Sequence, residues 1–334
     1  MAAVPPELPE PLWADILDRL RGPARGAAAC VCRQWHAMLL RAPAQRTLPH
    51  FAAAPGGHAG QWAAARAAGV LPAAALVLVQ DDMPPVAAVR RARALLPPGC
   101  AVVGVEGAIV LGTAGTAPAL LQLIPQLPGV RVVARMLRTA GDVKAFGAEL
   151  ADADPAQTAC IVLGGRECVD ALLGTTAAAT ALLHRLGIRF AGGLSTDRVH
   201  EATEAGKVSS SRKHTVVLAW IVPRDASLAR PLRWATALCP RGTPVGAGLA
   251  ASELLAQTPA PAWVGMFSCC SRLGQYETEY ADLRRTLPRA PFVAFYGLGE
   301  LVAPDPNARA KDAGPTGLRY HSCSFLALQP VRPQ

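Results

Sequence analysis

Three short segments in the last third of the sequence carry side chains that could bind or transform a small molecule. Each segment follows or opens a predicted strand, so adjacent strands would bring the side chains to one end of a sheet. Arg272 could hold a carboxylate through its planar guanidinium, and Glu300 could take an amine. The sequence therefore predicts a polar pocket for a small zwitterion. Its members are Cys269, Arg272, Gly297, Gly299, Glu300 and His321.

A structural interpretation of the same residues stays open at this point. Arg272 and Glu300 would then form a buried ion pair, because two charges removed from water need each other. Cys269 would fill the core as a small hydrophobe. His321 would cap a turn.

Sequence motifs of enzymes and cofactor sites are missing around these residues. Gly297 and Gly299 lack the third glycine of a dinucleotide fingerprint, and neither a P-loop nor a Gly-x-Ser-x-Gly nucleophile elbow occurs. The 9 cysteines form no Cys-x-x-Cys pair and no zinc-like spacing. We therefore predict a non-catalytic chain with no catalytic residue, no cofactor and no metal. A hydrolase that uses Cys269 or Cys270 with His321 is a third hypothesis.

Hydrophobic patterning predicts many short strands after residue 70, such as residues 75–79, with few helices between them. A helix over residues 86–96 is expected to present Arg93 to solvent. Residues 119–128 are expected to form a turn or a helix, and the polar residues 197–213 a loop. Because several strands follow one another directly, the pattern favours an α+β fold over a doubly wound sheet.

The first fifty residues form an amphipathic unit of their own. Leu12, Ile16 and Leu20 share one helix face at a spacing of four, and Trp13 and Leu17 widen it. A second short helix is expected after a Gly-Pro break. Two such helices bury too little surface to be stable alone. Their apolar face must either pack on the rest of the chain or dock a partner.

This segment resembles an F-box, through Leu-Pro at residues 8–9, the apolar positions that follow, and Val-Cys-Arg-Gln-Trp at residues 31–35. In that family the apolar face docks the Skp adaptor of a cullin–RING ubiquitin ligase. The alternative is an ordinary helical hairpin that belongs to the main core. The resemblance implies adaptor contacts from Leu8, Pro9, Leu12, Ile16, Leu17, Leu20, Val31, Cys32 and Trp35.

A second resemblance, from about residue 70 to residue 328, is to the FIST domain, a sensory module thought to bind small ligands. It is carried by Gly192-Gly193-Leu194, Phe267-x-Cys269-x-x-Arg272, Phe295-Tyr296-Gly297-x-Gly299-Glu300 and His321-Ser322. Two positions depart from the family pattern: Ser271 replaces a glycine, and Leu298 stands where a small or polar residue is usual. The predicted domains are an F-box at 1–50, a connector at 51–70, and FIST N-terminal and C-terminal halves at 71–205 and 206–330.

The charge distribution and the hydropathy of the sequence argue against nucleic acid and membranes as partners. The formal net charge of the 334 residues is +9, but lysine and arginine are dispersed without interleaved aromatics, which argues against nucleic-acid binding. No apolar run approaches the roughly 20 residues of a membrane helix. The sequence also begins without the pattern of a secretory signal. We therefore expect a cytoplasmic or nuclear protein.

Together these features predict the substrate-recognition subunit of an SCF-type cullin–RING E3 ubiquitin ligase. The F-box would dock the Skp adaptor, and the FIST-like α+β body would hold a protein substrate for ubiquitin-dependent degradation. The alternative is a sensory module for an amino-acid-like ligand whose N-terminal helices serve another partner.

Overall fold

The computed structural model describes residues 72–112, 115–127, 129–169, 174–226, 231–239, 246–288, 290–302, 318–319 and 322–330. The predicted F-box with its nine adaptor contacts, the connector and His321 lie outside these residues. The described part has a mixed α+β fold with three mixed sheets and few helices. The expected α+β class is thereby confirmed for this part of the chain.

The elements fall into three successive units. The first contains β1 (Pro72–Gln80), α1 (Pro85–Leu95), β2 (Ala101–Gly107), β3 (Ile109–Gly112), β4 (Gly115–Thr116) and β5 (Ala119–Pro125). The second contains β6 (Arg131–Leu137), α2 (Ala140–Glu149), β7 (Ala159–Gly164), α3 (Thr175–Arg185), β8 (Arg189–Leu194), β9 (Val199–Ala202), β10 (Val208–Ser211) and β11 (Thr215–Ile221). The third contains β12 (Leu232–Cys239), α4 (Gly246–Gln257), β13 (Trp263–Cys269), α5 (Tyr276–Thr286), β14 (Phe292–Gly297), β15 (Gly299–Val302), β16 (Leu318–Arg319) and β17 (Cys323–Pro330).

The three units repeat one topology and exchange strands with one another. Each contains a parallel strand pair joined through a helix: β1 with β2, β7 with β8, and β13 with β14. The next strand of each unit crosses to another sheet, where β3 pairs with β14, β9 with β2, and β15 with β8. The last strand of each unit returns to its own parallel pair. The units therefore interlock cyclically, and the predicted boundary at residue 206 falls in the β9–β10 hairpin.

Apolar side chains fill the space between the sheets, and the helices cover the outer faces. Three tryptophans lie at the centre, where the rings of Trp220 and Trp234 are 5.0 Å apart and those of Trp220 and Trp263 are 6.0 Å apart. On the outer face of β1 and β2, Val89 and Ala92 of α1 are completely buried. Strands that are buried on both faces read as continuous apolar runs, which explains why they were predictable from sequence.

Two predictions of local structure are wrong. Residues 119–125 form β5, which pairs with β1 along its length, rather than a turn or helix. Residues 199–202 and 208–211 form the β9–β10 hairpin inside the expected loop. In both cases a neighbouring strand supplies the hydrogen bonds, and strand formation depends on this tertiary context more than on local propensity.

The prediction that Arg93 faces solvent is also wrong, because its side chain is only 6% exposed. Its guanidinium donates to the carbonyl oxygens of Leu96 (2.7 Å) and Pro97 (2.5 Å) and to that of Cys100. These carbonyls lie at and beyond the end of α1, where helices leave acceptors unsatisfied. The arginine therefore closes the helix end instead of facing water. None of the helices in the described ranges combines the length and apolarity needed to cross a membrane.

Candidate functional site

Cys269, Gly297 and Gly299 meet where the chain passes from β14 to β15. The Cys269 thiol donates to the carbonyl oxygen of Leu298 at 3.7 Å. A Cβ at position 297 would lie 1.9 Å from the carbonyl oxygen of Leu194, so only glycine allows this approach of two strands. These glycines therefore serve close strand packing at the junction of two sheets.

Arg272 pairs with a carboxylate outside the predicted pocket. Its Nε lies 2.6 Å from Oε1 of Glu279, seven residues later in α5. The hydroxyl of Tyr296 donates to Oε2 of the same carboxylate at 2.6 Å. Arg272 is 4% exposed and Glu279 is 0% exposed. The ion pair expected between Arg272 and Glu300 is therefore replaced by one between Arg272 and Glu279.

Glu300 is fully buried in β15 beside the start of β17. Its Oε1 accepts from the backbone N–H of Ser322 at 2.8 Å and from the Ser322 hydroxyl. Burial raises the pKa of Glu300 to about 8, although Ser322 and the charge of Arg272 oppose the shift. The carboxyl group is therefore mostly protonated at neutral pH. Arg272, Glu279, Tyr296, Glu300 and Ser322 are called the buried charged cluster below.

A second constellation, absent from the sequence-based site, links three strands of one sheet. His200 Nδ1 lies 2.7 Å from Oγ of Ser210, and His200 Nε2 lies 2.8 Å from Oε1 of Glu106. An ionised carboxylate can only accept, so Nε2 carries the proton and Nδ1 accepts from the serine hydroxyl. His200 is fully buried and Ser210 is half-buried. We call these three residues the Ser–His–Glu chain.

Strand register explains how the Ser–His–Glu chain forms. His200 in β9 lies opposite Gly104 in β2 and opposite Ser210 in β10. Glu106 lies two residues beyond Gly104, so it shares the face of the sheet with His200. A Cβ at Gly104 would lie 2.6 Å from Val89 of α1 but 3.6 Å from the Cβ of His200, so the glycine makes room for α1 rather than for the histidine.

The loop between β8 and β9 holds the backbone that carries Glu106. The Ser195 hydroxyl lies 2.8 Å from the carbonyl oxygens of both Glu106 and Arg198, and it can donate to one of them at a time. The backbone N–H of Thr196 donates to the Glu106 carbonyl at 3.1 Å. Residues 199–202 (Val-His-Glu-Ala) and 208–211 (Val-Ser-Ser-Ser) show no strict alternation of apolar and polar residues, so periodicity does not predict these two strands.

Two thiols among the described residues are poorly suited to act as nucleophiles. Burial raises the pKa of the Cys270 thiol, which disfavours the nucleophilic thiolate. Burial likewise raises the pKa of Cys323 well above its ordinary value. Within the described ranges, no group of three or more His, Cys, Asp and Glu side chains is arranged to hold a metal ion.

No family model matches the chain, and no curated protein does. Among solved structures, the chain is similar to the cyanuric acid hydrolase from A. caulinodans, with 12% identity and a TM-score of 0.45 over 84% of this chain and 97% of that one. A second cyanuric acid hydrolase, described as an evolutionary innovation by structural concatenation, shares 11% identity with a TM-score of 0.33. That match covers 61% of this chain and 68% of the hydrolase.

These matches contradict the predicted function. Both matched structures are enzymes, and neither is a ubiquitin-ligase subunit or a sensory module. The predictions of an SCF substrate receptor, of a sensory alternative and of a non-catalytic chain are therefore corrected. Linear motifs could not reveal the Ser–His–Glu chain, since strand pairing assembles it from three separate segments. At these TM-scores the likeness assigns neither an activity nor a substrate to this chain.

Proposed function

We propose that the described part of the chain is a hydrolase of carboxylic esters or amides that uses Ser210 as its nucleophile. The observation that carries this proposal is the pair of short hydrogen bonds that joins Ser210 to His200 and His200 to Glu106. A nucleophile, a base and a carboxylate that orients the base form the arrangement required for nucleophilic acyl transfer.

The reaction follows from the proton positions. His200 Nδ1 takes the hydroxyl proton as Ser210 Oγ attacks the carbonyl carbon, and Glu106 stabilises the resulting imidazolium through Nε2. The imidazolium then gives its Nδ1 proton to the leaving alcohol or amine as the bond to it breaks. A water molecule next attacks the acyl-serine, and His200 takes one of its protons. The tetrahedral adduct collapses, the acid leaves, and that proton returns to Ser210.

The backbone of Ser210 supports the same assignment. The N–H of Thr203 donates to the carbonyl oxygen of Lys207 at 2.9 Å, which fixes the alternation of hydrogen-bonded pairs along the hairpin. By that alternation, His200 and Ser210 form a non-hydrogen-bonded pair, so the N–H of Ser210 points away from β9. In the described part of the sheet β10 is the edge strand. This N–H can therefore donate to the carbonyl oxygen of a substrate as negative charge develops on it.

A fluorophosphonate probe tests the proposal, because it reacts covalently with activated serine nucleophiles. We expect Ser210 of the full chain to be labelled, as located by mass spectrometry of its peptides. Ser210→Ala should lose the label, and His200→Gln should slow labelling by roughly 100-fold or more. Ser209→Ala is the matched control and should label like the wild type. Absence of label on Ser210 would contradict the proposal.

For the segment outside the described residues, we propose on sequence alone that residues 1–50 form an all-α F-box unit and that the body is FIST-like. The spacing of Leu12, Ile16 and Leu20 supports this, since a helix over these residues would place all three on one face. Co-purification of the full chain with a Skp adaptor, lost in Leu12→Lys, would be the expected result. Undiminished binding of the variant would contradict an F-box contact. Adaptor binding by the wild-type chain would show an F-box contact, but it would not show that the body recognises substrates for a ubiquitin ligase.

A further inference from the structure

Two arginine side chains share one carboxylate at the end of the β9–β10 hairpin. Arg212 Nε lies 2.5 Å from Oδ1 of Asp197, and Arg198 Nε lies 3.4 Å from Oδ2 of the same group. The arginine side chains are 46% and 45% exposed, and Asp197 is 29% exposed. Both guanidinium groups are thus fixed through Nε and remain accessible to solvent.

The register of the hairpin relates these arginines to Ser210. Ser210 lies opposite His200, and Ser211 lies opposite Val199. Extending the register by one residue places Arg212 opposite Arg198. Side chains alternate between faces along a strand, so the arginine pair follows the Ser–His pair on the same face. The arginine pair is therefore the neighbour of the nucleophile and its base along the hairpin.

Both arginines contact Asp197 through Nε, and the charges of Asp197, Glu167 and Glu106, in that order, raise the pKa of Arg212. Two of these carboxylates have further partners: Oε2 of Glu167 lies 3.6 Å from Nζ of Lys213, and Oε1 of Glu106 lies 2.8 Å from Nε2 of His200. The guanidinium groups, whose side chains are about half exposed, can still bind an added carboxylate through two parallel hydrogen bonds.

We propose that Arg198 and Arg212 bind an anionic group of the substrate, so this site prefers acyl groups that carry a carboxylate. Same-face neighbours along a strand lie roughly 7 Å apart, a separation that suits a half-ester of a short dicarboxylic acid. The scissile carbonyl would lie at Ser210 and the free carboxylate between the two arginines. The inference rests on the proposed hydrolase function and specifies its substrate class.

The test compares para-nitrophenyl hydrogen succinate with the neutral para-nitrophenyl butyrate on the full chain. We expect the wild type to favour the anionic ester in kcat/KM and to lose that preference as salt is added. Arg198→Gln with Arg212→Gln should lower the ratio of the two kcat/KM values by about tenfold or more, mainly through KM. Arg138→Gln is the matched control, since Arg138 also pairs with a carboxylate of β9, that of Glu201. It should retain the wild-type ratio.

The outcomes separate this inference from the function on which it rests. Turnover that depends on Ser210 but shows an unchanged ester ratio in the double variant would overturn the anion site alone. Turnover of neither ester above the Ser210→Ala background would overturn the hydrolase proposal and with it the anion site. If the melting curve shows that the double variant does not fold, the single Arg212→Gln variant is tested instead. A lower ratio of the two kcat/KM values than in the wild type would support the anion site, and an unchanged ratio would overturn it.

Discussion

The Ser–His–Glu chain and the buried charged cluster occupy related places in the repeated topology but differ in access to solvent. His200 in β9 and Glu300 in β15 each lie opposite a glycine of the neighbouring unit, Gly104 and Gly193 respectively. Beyond His200 lies the half-buried Ser210, whereas Glu300 and its neighbours Arg272 and Glu279 are at most 4% exposed. One arrangement can meet a substrate, and the other is closed within the fold.

The difference in solvent access between the two groups of residues indicates that their buried polar side chains have different roles. Ions taken out of water need internal partners, so the contacts of Glu279 with Arg272 and with the Tyr296 hydroxyl offset a cost that burial itself creates. The Ser–His–Glu chain buries its base but leaves the nucleophile half-buried at the edge of the sheet. Of these two groups of residues, the Ser–His–Glu chain is the one with a member, Ser210, that a substrate can reach. Three experiments test this contrast.

The largest expected effect is on stability, from Arg272→Met. The substitution leaves the Glu279 carboxylate buried without its cation, so the free energy of unfolding should fall by about 3–5 kcal/mol. Urea denaturation followed by tryptophan fluorescence measures the change. Arg285→Met is the control: its side chain is 75% exposed and pairs with Asp282, and its loss should cost less than about 1 kcal/mol.

Adding Glu279→Gln to Arg272→Met should recover part of the loss, since the unpaired charge is then removed as well. Equal costs for Arg272→Met and Arg285→Met would contradict a buried ion pair.

The second effect is a pH dependence of stability that belongs to Glu300. Its pKa rises from 4.5 to about 8 on folding, because burial disfavours the charge. Between these values the folded state binds more protons than the unfolded state, so stability falls as pH rises, by up to about 1.4 kcal/mol per pH unit. Ser322, Arg272 and Cys239 are the groups that act on this carboxyl.

Glu300→Gln should flatten that part of the stability profile, measured by urea denaturation from pH 5 to pH 8. Glu253→Gln is the control, because Glu253 is exposed on α4, and it should keep the wild-type slope. A Glu300→Gln profile as steep as the wild type would exclude Glu300 as the titrating group.

The smallest effect compares one serine from each region. Ser322→Ala removes the hydroxyl that donates to the buried Glu300 and should cost about 1–3 kcal/mol. Ser210→Ala removes a hydroxyl near solvent and should cost about 1 kcal/mol or less, since water can replace it at His200. Thermal melting of both variants checks the order. A larger drop in melting temperature for Ser210→Ala than for Ser322→Ala would contradict the assignment of the buried charged cluster to stability.

The sequence predicts some strands of the fold and misses others. Two predicted strands are confirmed, the one at residues 75–79 and the one ending before Gly297. Strands that are buried on both faces appear in the sequence as continuous apolar runs, which makes them predictable. The expected loop at 197–213 hides the strands that carry His200 and Ser210. Their half-polar composition gives no signal strong enough to distinguish a strand from a loop.

The hydrophobic pattern of the sequence is sufficient to establish the α+β class, and strand ends read from it predict that Cys269, Gly297 and Gly299 lie close together, as the parallel pairing of β13 with β14 shows. Tertiary structure alone decided that Arg272 pairs with Glu279 rather than Glu300. It also decided that Ser210 and Glu106, 10 and 94 residues from His200, contact the two nitrogens of its ring. The physical reason is register: strand exchange between units selects which residues lie opposite each other, and a shift of one residue would turn each side chain to the other face.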